Sequence, residues 1–82
     1  MNTAQLTIKL SKLNIPHSII DVNEFNKDIK FTINGLEFYA AYTANDNTIS
    51  DFCRVTAYDK INQEHSYRFF NSLNSVLKYA NN

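Results

Sequence analysis

The chain is poor in the residues that interrupt regular structure or link distant segments. Its 82 residues include one glycine, one proline and one cysteine. The scarcity of glycine and proline predicts an ordered chain with few long loops. A single cysteine excludes a disulfide bond within the chain, and a single glycine excludes a glycine-rich phosphate loop.

The sequence also has no excess of charge of either sign. Eight Lys and Arg residues balance eight Asp and Glu residues, so the long-range field that concentrates a protein on nucleic acid or anionic lipid is missing. No apolar run is long enough to span a bilayer, and no signal peptide is recognisable. We therefore expect a cytoplasmic protein that does not associate with membranes.

The length of the chain predicts one small domain that covers residues 1–82. A domain of this size buries only about 60 to 65 per cent of the surface of its unfolded chain. Its core must therefore be built from a small set of apolar residues.

Leucines at helical spacing mark the first segment. Within residues 3–14, Leu6, Leu10 and Leu13 recur at i, i+4 and i+7, which places them on one stripe of a helix. The helix is the preferred prediction. A strand remains the alternative, because Leu6, Ile8 and Leu10 also alternate with polar residues.

Pro16 predicts where this helix ends. Proline disfavours the helical conformation in the residue before it, so we expect the helix to end near Asn14. The next segment, His17 to Val22, contains several β-branched residues and is predicted to be a strand. Asn and Asp side chains after it favour a turn.

The stretch KFTINGLEFYA, from Lys30 to Ala40, predicts a hairpin. Asn34 and Gly35 tolerate the positive φ that a two-residue type I′ turn requires. The turn fixes a register that separates apolar pairs from polar pairs. The apolar pairs are Ile33 with Leu36, Phe31 with Phe38 and Ile29 with Ala40, and the polar pairs are Thr32 with Glu37 and Lys30 with Tyr39.

Two further strands are predicted after a polar loop. Residues from Asp51 to Asp59 alternate, with Cys53 assigned to the inner face and Arg54 to the outer face. The segment Glu64 to Phe70 reads either as an early start of a helix or as a returning strand, and cross-strand pairing favours the strand. The predicted inner pairs are Asp59 with His65, Ala57 with Tyr67 and Val55 with Phe69, and the outer pairs are Tyr58 with Ser66 and Thr56 with Arg68.

A final helix completes the predicted fold. Asn71 or Ser72 can cap it, and its apolar stripe consists of Leu73, Val76, Leu77 and Ala80. The predicted order is α-β-β-β-β-β-α. We expect an α+β fold, in which an antiparallel sheet of four to five strands has its apolar face covered by the N-terminal and C-terminal helices.

The residues able to perform chemistry are isolated in the sequence. Cys53 is predicted to pack in the core beside Val55, and burial raises the pKa of a thiol and makes it a poor nucleophile. His17 and His65 belong to no metal-binding motif. Most carboxylates fall at turns or strand ends, where solvated acids are common. We therefore expect no catalytic activity, no metal and no cofactor.

Basic and aromatic side chains alternate on the predicted outer face of the sheet. Tyr and Arg are enriched in the hot spots of protein interfaces, and proteins that bind single-stranded nucleic acid also combine rings with cations. A solvated sheet face is the third interpretation. The candidate partner-binding residues are Lys30, Tyr39, Arg54, Tyr58 and Arg68.

The sequence thus predicts a small non-enzymatic protein that docks onto another protein through its outer sheet face or an edge strand. Nucleic-acid binding is the alternative, and zero net charge favours the protein partner. An open sheet edge would also allow a homodimer. The frequent residues Asn, Ile, Lys, Phe and Tyr have codons rich in A and T, which suggests a phage or mobile-element modulator or inhibitor of a host protein.

Overall fold

A computed structural model describes residues 1–82 and confirms the predicted α+β architecture. The elements follow the predicted order, and all strands belong to one antiparallel sheet in the order β1-β2-β3-β4-β5. Each strand therefore pairs with its neighbours in sequence. The elements are α1 (Thr3–Lys12), β1 (His17–Asp21), β2 (Asn26–Ile33), β3 (Leu36–Thr43), β4 (Phe52–Asp59), β5 (Glu64–Phe70) and α2 (Leu73–Ala80).

The segment before Pro16 is a helix and not the alternative strand. The Asn2 side chain accepts a hydrogen bond from the Gln5 backbone N–H, and the Gln5 side chain accepts one from the Asn2 backbone N–H. This capping box fixes the start of α1. Leu6 and Leu10 are fully buried while Ile8 is 54% exposed, so the leucine stripe faces the sheet.

α1 ends slightly earlier than predicted, at Lys12. Asn14 adopts a φ of 56°, a left-handed conformation that asparagine tolerates and that terminates helices. Leu13 consequently leaves the stripe and is exposed. Pro16 then precedes the extended chain of β1.

β2 and β3 form the predicted hairpin in the predicted register. The observed pairs include Phe31 with Phe38 and Lys30 with Tyr39, and the three other predicted pairs are present as well. The phenylalanine rings stack with their centroids 5.5 Å apart. Turn chemistry and side-chain alternation point to one register, which is why the prediction succeeds here.

The turn of this hairpin has the expected backbone conformation. Asn34 and Gly35 have φ values of 51° and 80°, as a type I′ turn requires. The Asn34 side-chain amide donates hydrogen bonds of 2.9 Å to the carbonyl oxygen of Ala80 and to Oδ1 of Asn81. These bonds join the turn to the end of α2.

The substitution Gly35→Ala should lower the free energy of unfolding by about 1 kcal/mol, because a Cβ disfavours the left-handed region by about 1 to 2 kcal/mol. No atom lies within 4 Å of the position that the Cβ would take, so the loss would reflect backbone conformation alone. Urea unfolding followed by far-UV circular dichroism would measure it. Gly35→Asn is the control and should lose less; equal losses would contradict this explanation.

Both helices pack on the same face of the sheet. The core is a single cluster of 13 buried apolar residues, and no polar residue is buried with them. Phe38 lies at its centre, edge-to-face with Phe70 and with Tyr79 of α2. The helices contribute Leu6, Leu10, Leu73, Val76 and Ala80.

Ser72, one of the two predicted caps, is the N-cap residue of α2. The Ser72 hydroxyl accepts a hydrogen bond from the Ser75 backbone N–H, which satisfies a donor in the first turn. The predicted stripe faces the sheet, with Leu77 half-buried and the other members buried. Neither α1 nor α2 combines the length and apolar character that a membrane-crossing helix needs.

Much of β4 and β5 extends beyond the helices. The register between β3 and β4 contains one pair, Tyr39 with Cys53. Phe52 is the buried residue of β4, and Phe70 is the buried residue of β5. Every residue from 55 to 69 is exposed. We call residues 55–69 the arm.

The predicted register between β4 and β5 is wrong. None of the predicted pairs occurs; Val55, for example, lies opposite Tyr67 instead of Phe69. A β-bulge between Val55 and Ala57 shifts the pairing by one residue. The prediction assumed that one face of both strands is buried along their whole length, whereas no residue of the arm is buried. The observed pairs include Phe52 with Phe70, Cys53 with Phe69, Arg54 with Arg68, Val55 with Tyr67 and Tyr58 with His65.

Candidate functional site

The two faces of the sheet can be followed from strand to strand through the paired residues. Paired residues of an antiparallel sheet share a face. Lys30 pairs with Tyr39, Tyr39 with Cys53, and Cys53 with Phe69. Lys30 precedes a core phenylalanine in sequence and therefore points away from the helices. We call the side of the sheet that carries this row the open face.

The predicted candidate residues are divided between the two faces. Phe52 and Phe70 anchor their strands in the core, and residues two positions away in a strand point to the same side. The prediction that both arginines lie on the outer face is therefore wrong. Lys30, Tyr39 and Tyr58 lie on the open face, whereas Arg54 and Arg68 lie on the helix-covered face.

Arg68 joins the base of the arm to α2. Its guanidinium carbon lies 5.4 Å from the ring centroid of Phe70 and 4.8 Å from that of Tyr79, which is the geometry of a cation–π contact. Arg54 is paired directly opposite Arg68. Neither arginine forms an ion pair within the chain.

The central part of the open face is polar and locally neutral. Lys30 Nζ lies 3.2 Å from Oε1 of Glu37, and the Tyr39 hydroxyl donates a 3.5 Å hydrogen bond to Oε2 of the same carboxylate. Lys30 is the one lysine or arginine that the strands place on this face. The open face therefore offers no row of cations to a phosphate backbone.

An exposed aromatic row continues the open face along the arm. Successive ring centroids are 4.6 Å apart for Tyr58 and His65, 6.2 Å for His65 and Tyr67, and 6.2 Å for Tyr67 and Phe69. The exposed fractions of Tyr67 and Phe69 are 52% and 65%. Val55 lies opposite Tyr67 and is also exposed. We call Val55, Tyr58, His65, Tyr67 and Phe69 the aromatic stripe.

The sequence prediction missed this stripe because it assigned the rings of β5 to the core. One local signal could have found it: Phe69 and Phe70 are adjacent in one strand. Adjacent strand residues point to opposite faces, so in a sheet covered on one side only one of the two rings can be buried. Phe70 is 7% exposed and Phe69 is 65% exposed.

Cys53 lies on the open face and is half-buried, so the prediction of a core cysteine is wrong. The cause is again the inverted assignment of faces in β4. Desolvation raises the pKa of the Cys53 thiol, and the negative charges of Asp28 and Asp51 raise it further. The thiol is therefore protonated at neutral pH and a poor nucleophile.

The tip of the arm is held by Asp59. Its carboxylate accepts hydrogen bonds from the side-chain amide of Asn62 at 2.8 Å, from the Asn62 backbone N–H at 3.3 Å and from the Ile61 backbone N–H at 2.9 Å. These bonds lower the pKa of Asp59, the side-chain bond from Asn62 most of all. Ile61 itself is 91% exposed.

The two histidines lie on opposite edge strands of the sheet, His17 on β1 and His65 on β5. His17 Nδ1 lies 3.0 Å from the carbonyl oxygen of Ile15, and His65 stacks against Tyr58. No group of three or more His, Cys, Asp and Glu side chains converges in the structure.

Comparisons with protein-family models, curated proteins and solved structures found no match. The geometry and chemistry of the open face are therefore the basis for assigning a function. Its two parts differ: the centre is a hydrogen-bonded polar cluster, and the arm is an exposed apolar surface.

Proposed function

We propose that this protein is a non-enzymatic binding domain whose aromatic stripe docks onto another protein. The observation that carries the proposal is the continuous row of exposed rings on the arm. Contiguous exposed apolar patches mark interaction sites on monomeric proteins. Tyrosine is also enriched among the residues that dominate binding energy at interfaces.

The chemistry of the stripe defines the kind of partner surface that fits it. Phe69 and Val55 supply apolar contact area, while Tyr58 and Tyr67 add hydroxyl groups that can donate hydrogen bonds at the rim. A complementary site is an apolar groove bordered by hydrogen-bond acceptors. Because the stripe lies on the face of the sheet opposite the helices, such a groove can bind it without contacting the helices.

Nucleic-acid binding, the alternative, has less support. Binding of a single strand needs rings and cations on the same surface, and Arg54 and Arg68 lie on the face opposite the stripe. Lys30 remains on the open face but is paired with Glu37.

We also propose that the protein is cytoplasmic and that it is a phage or mobile-element inhibitor of a host protein. Both proposals rest on the composition of the chain.

The double substitution Tyr67→Ser and Phe69→Ser should weaken partner binding by about 100-fold or more, because a hot-spot residue contributes about 2 kcal/mol or more. Both side chains are exposed, so the fold should survive. A tagged-protein pull-down at low and high salt, with and without nuclease, would identify the partner by mass spectrometry. Biolayer interferometry would then give the affinities of the variants.

Ile19→Ser is the matched control for this experiment. Ile19 is 58% exposed but lies on β1, at the opposite edge of the sheet. Its substitution should leave binding unchanged. Full binding by the folded double variant would contradict the proposal, and loss of the captured material on nuclease treatment would support nucleic-acid binding instead.

A further inference from the structure

The free edge of β5 has only one of the devices by which natural sheets prevent edge pairing, the charged side chains of Glu64 and Arg68. β5 ends the sheet and pairs with β4 on one side only. Its seven residues, EHSYRFF, contain no proline and no lysine, and the β-bulge of the arm lies on β4. Such an edge is a template for another strand. The opposite edge, β1, has five residues and follows Pro16.

We propose that the β5 edge pairs antiparallel with the β5 edge of a second copy of this chain, with the two-fold axis at Ser66. A two-fold axis perpendicular to the sheet must pass beside one residue of the strand, and pairing centred on a residue keeps both open faces on the same side. Centring on Ser66 places Glu64 opposite Arg68 of the second copy. It also places His65 opposite Tyr67 of the second copy.

Charge complementarity favours this register. Arg54 and Arg68 lie directly opposite each other, and neither has an acidic partner in its own chain. Like charges in that position destabilise a sheet, and opposite charges stabilise it. Glu64 lies on the same face as Arg68, so the dimer supplies a carboxylate to each arginine pair.

The contacts that Arg68 makes within its own chain leave it able to form this ion pair. Its guanidinium carbon lies over the rings of Phe70 and Tyr79. The N–H donors of a guanidinium lie in the plane, at its edge, and remain available to a carboxylate while the face contacts rings. The cation–π contacts and an ion pair therefore do not compete for the same atoms.

The competing register, centred on Tyr67, lacks this complementarity. It would place Glu64 opposite Phe70 and Ser66 opposite Arg68, so that no ion pair forms across the interface. In the Ser66-centred register the two aromatic stripes become continuous through His65 and Tyr67. The dimer needs no outside partner, and the inference is independent of the proposed function.

A charge exchange tests the register. Glu64→Arg and Arg68→Glu, each made alone, place like charges in both symmetric pairs, and each should weaken dimerisation about tenfold or more. An equimolar mixture of the two variants should dimerise like the unmodified chain, because both pairs are then opposite in sign. Sedimentation velocity over a range of protein concentrations would measure the dissociation constants.

The rescue in the mixture separates an interface effect from loss of folding, since neither variant can regain its fold by mixing. A monomeric unmodified chain at every concentration would overturn the inference. Single variants that dimerise like the unmodified chain would overturn it as well.

Cross-linking provides a second test of the axis. In a Cys53→Ser background, Ser66→Cys should form a disulfide-linked dimer under mild oxidation. Directly opposed residues have Cα atoms about 4.5 to 5.5 Å apart, within the range that a disulfide spans. Tyr67→Cys is the matched control and should cross-link at least tenfold more slowly. The reverse order of rates would overturn the Ser66-centred register.

Discussion

Phe38→Ala should lower the free energy of unfolding by about 3 to 5 kcal/mol, the usual cost of truncating a buried phenylalanine. Phe38 is fully buried, and its ring centroid lies 5.5 Å from that of Phe31, 5.8 Å from Phe70 and 6.4 Å from Tyr79. The substitution leaves a cavity where the β2–β3 hairpin, β5 and α2 meet. A chain of this size has a total stability of only about 4 to 12 kcal/mol.

Phe69→Ala is the matched control, because it makes the same chemical change on the other side of the sheet. Phe69 is 65% exposed, and exposed substitutions usually change stability by about 0.5 kcal/mol or less. Urea unfolding of both variants, followed by far-UV circular dichroism, would give the difference. Comparable losses would contradict the assignment of faces on which the candidate site depends.

The β2–β3 hairpin shows where sequence reasoning succeeds. Asn34 and Gly35 fix the turn, and the helices cover one side of both strands, so the apolar residues of each strand identify the buried face. Two independent signals, turn chemistry and alternation, therefore agree on one register. Local information was sufficient because the whole hairpin is packed against the core.

The arm shows where the same reasoning fails. Cys53, Val55 and Ala57 alternate with polar residues as core positions do, yet none of them is buried. Alternation identifies a buried face only if one face is buried, and the arm has none. The bulge beside Val55 also reverses the face to which each of the following residues of β4 points. How far the helices extend over the sheet decides which strand residues are buried, and that extent depends on tertiary packing.

The candidate site exists because the helices cover only part of the sheet. α1 has ten residues and α2 has eight, which makes them about 15 and 12 Å long at 1.5 Å per residue. The molecule measures 39 by 35 by 20 Å, so the helices cover only part of the sheet. Lys30, Tyr39 and Tyr58 were correctly placed away from the helices. Arg54 and Arg68 were misplaced because the alternation of the uncovered part of β4 and β5 was used to assign the faces of both strands, whereas the core residues Phe52 and Phe70 put both arginines on the helix side.

Phe52→Ala should release the arm from the rest of the sheet. Phe52 is the only buried residue of β4, and its ring packs edge-to-face on Phe31 with the centroids 6.0 Å apart. Between β3 and β4 the register contains only the pair Tyr39 with Cys53. Removing the Phe52 ring costs about 3 to 5 kcal/mol and leaves the arm attached only through that pair and through Phe70 and Arg68 at the end of β5.

The expected result is a two-step loss of structure that amide NMR can resolve. In the variant, amides of residues 54–69 should lose protection from hydrogen exchange by about 100-fold or more, since each tenfold change corresponds to about 1.4 kcal/mol. Amides of β2 should stay protected because the hairpin keeps its helix-covered face. Phe52→Leu keeps most of the apolar contact and should leave the arm attached.

Simultaneous loss of protection in β2 and the arm would show that the sheet opens as one unit and would contradict this prediction.

Whether the arm is anchored matters for binding. An arm anchored by Phe52 presents the aromatic stripe in one orientation, so its partner meets a surface that is already ordered. An arm released by Phe52→Ala must be ordered again on binding, and that entropy cost weakens affinity. We therefore expect Phe52→Ala to bind the partner more weakly although Tyr67 and Phe69 are unchanged. That result would show that the core packing of Phe52 keeps the aromatic stripe ordered for binding.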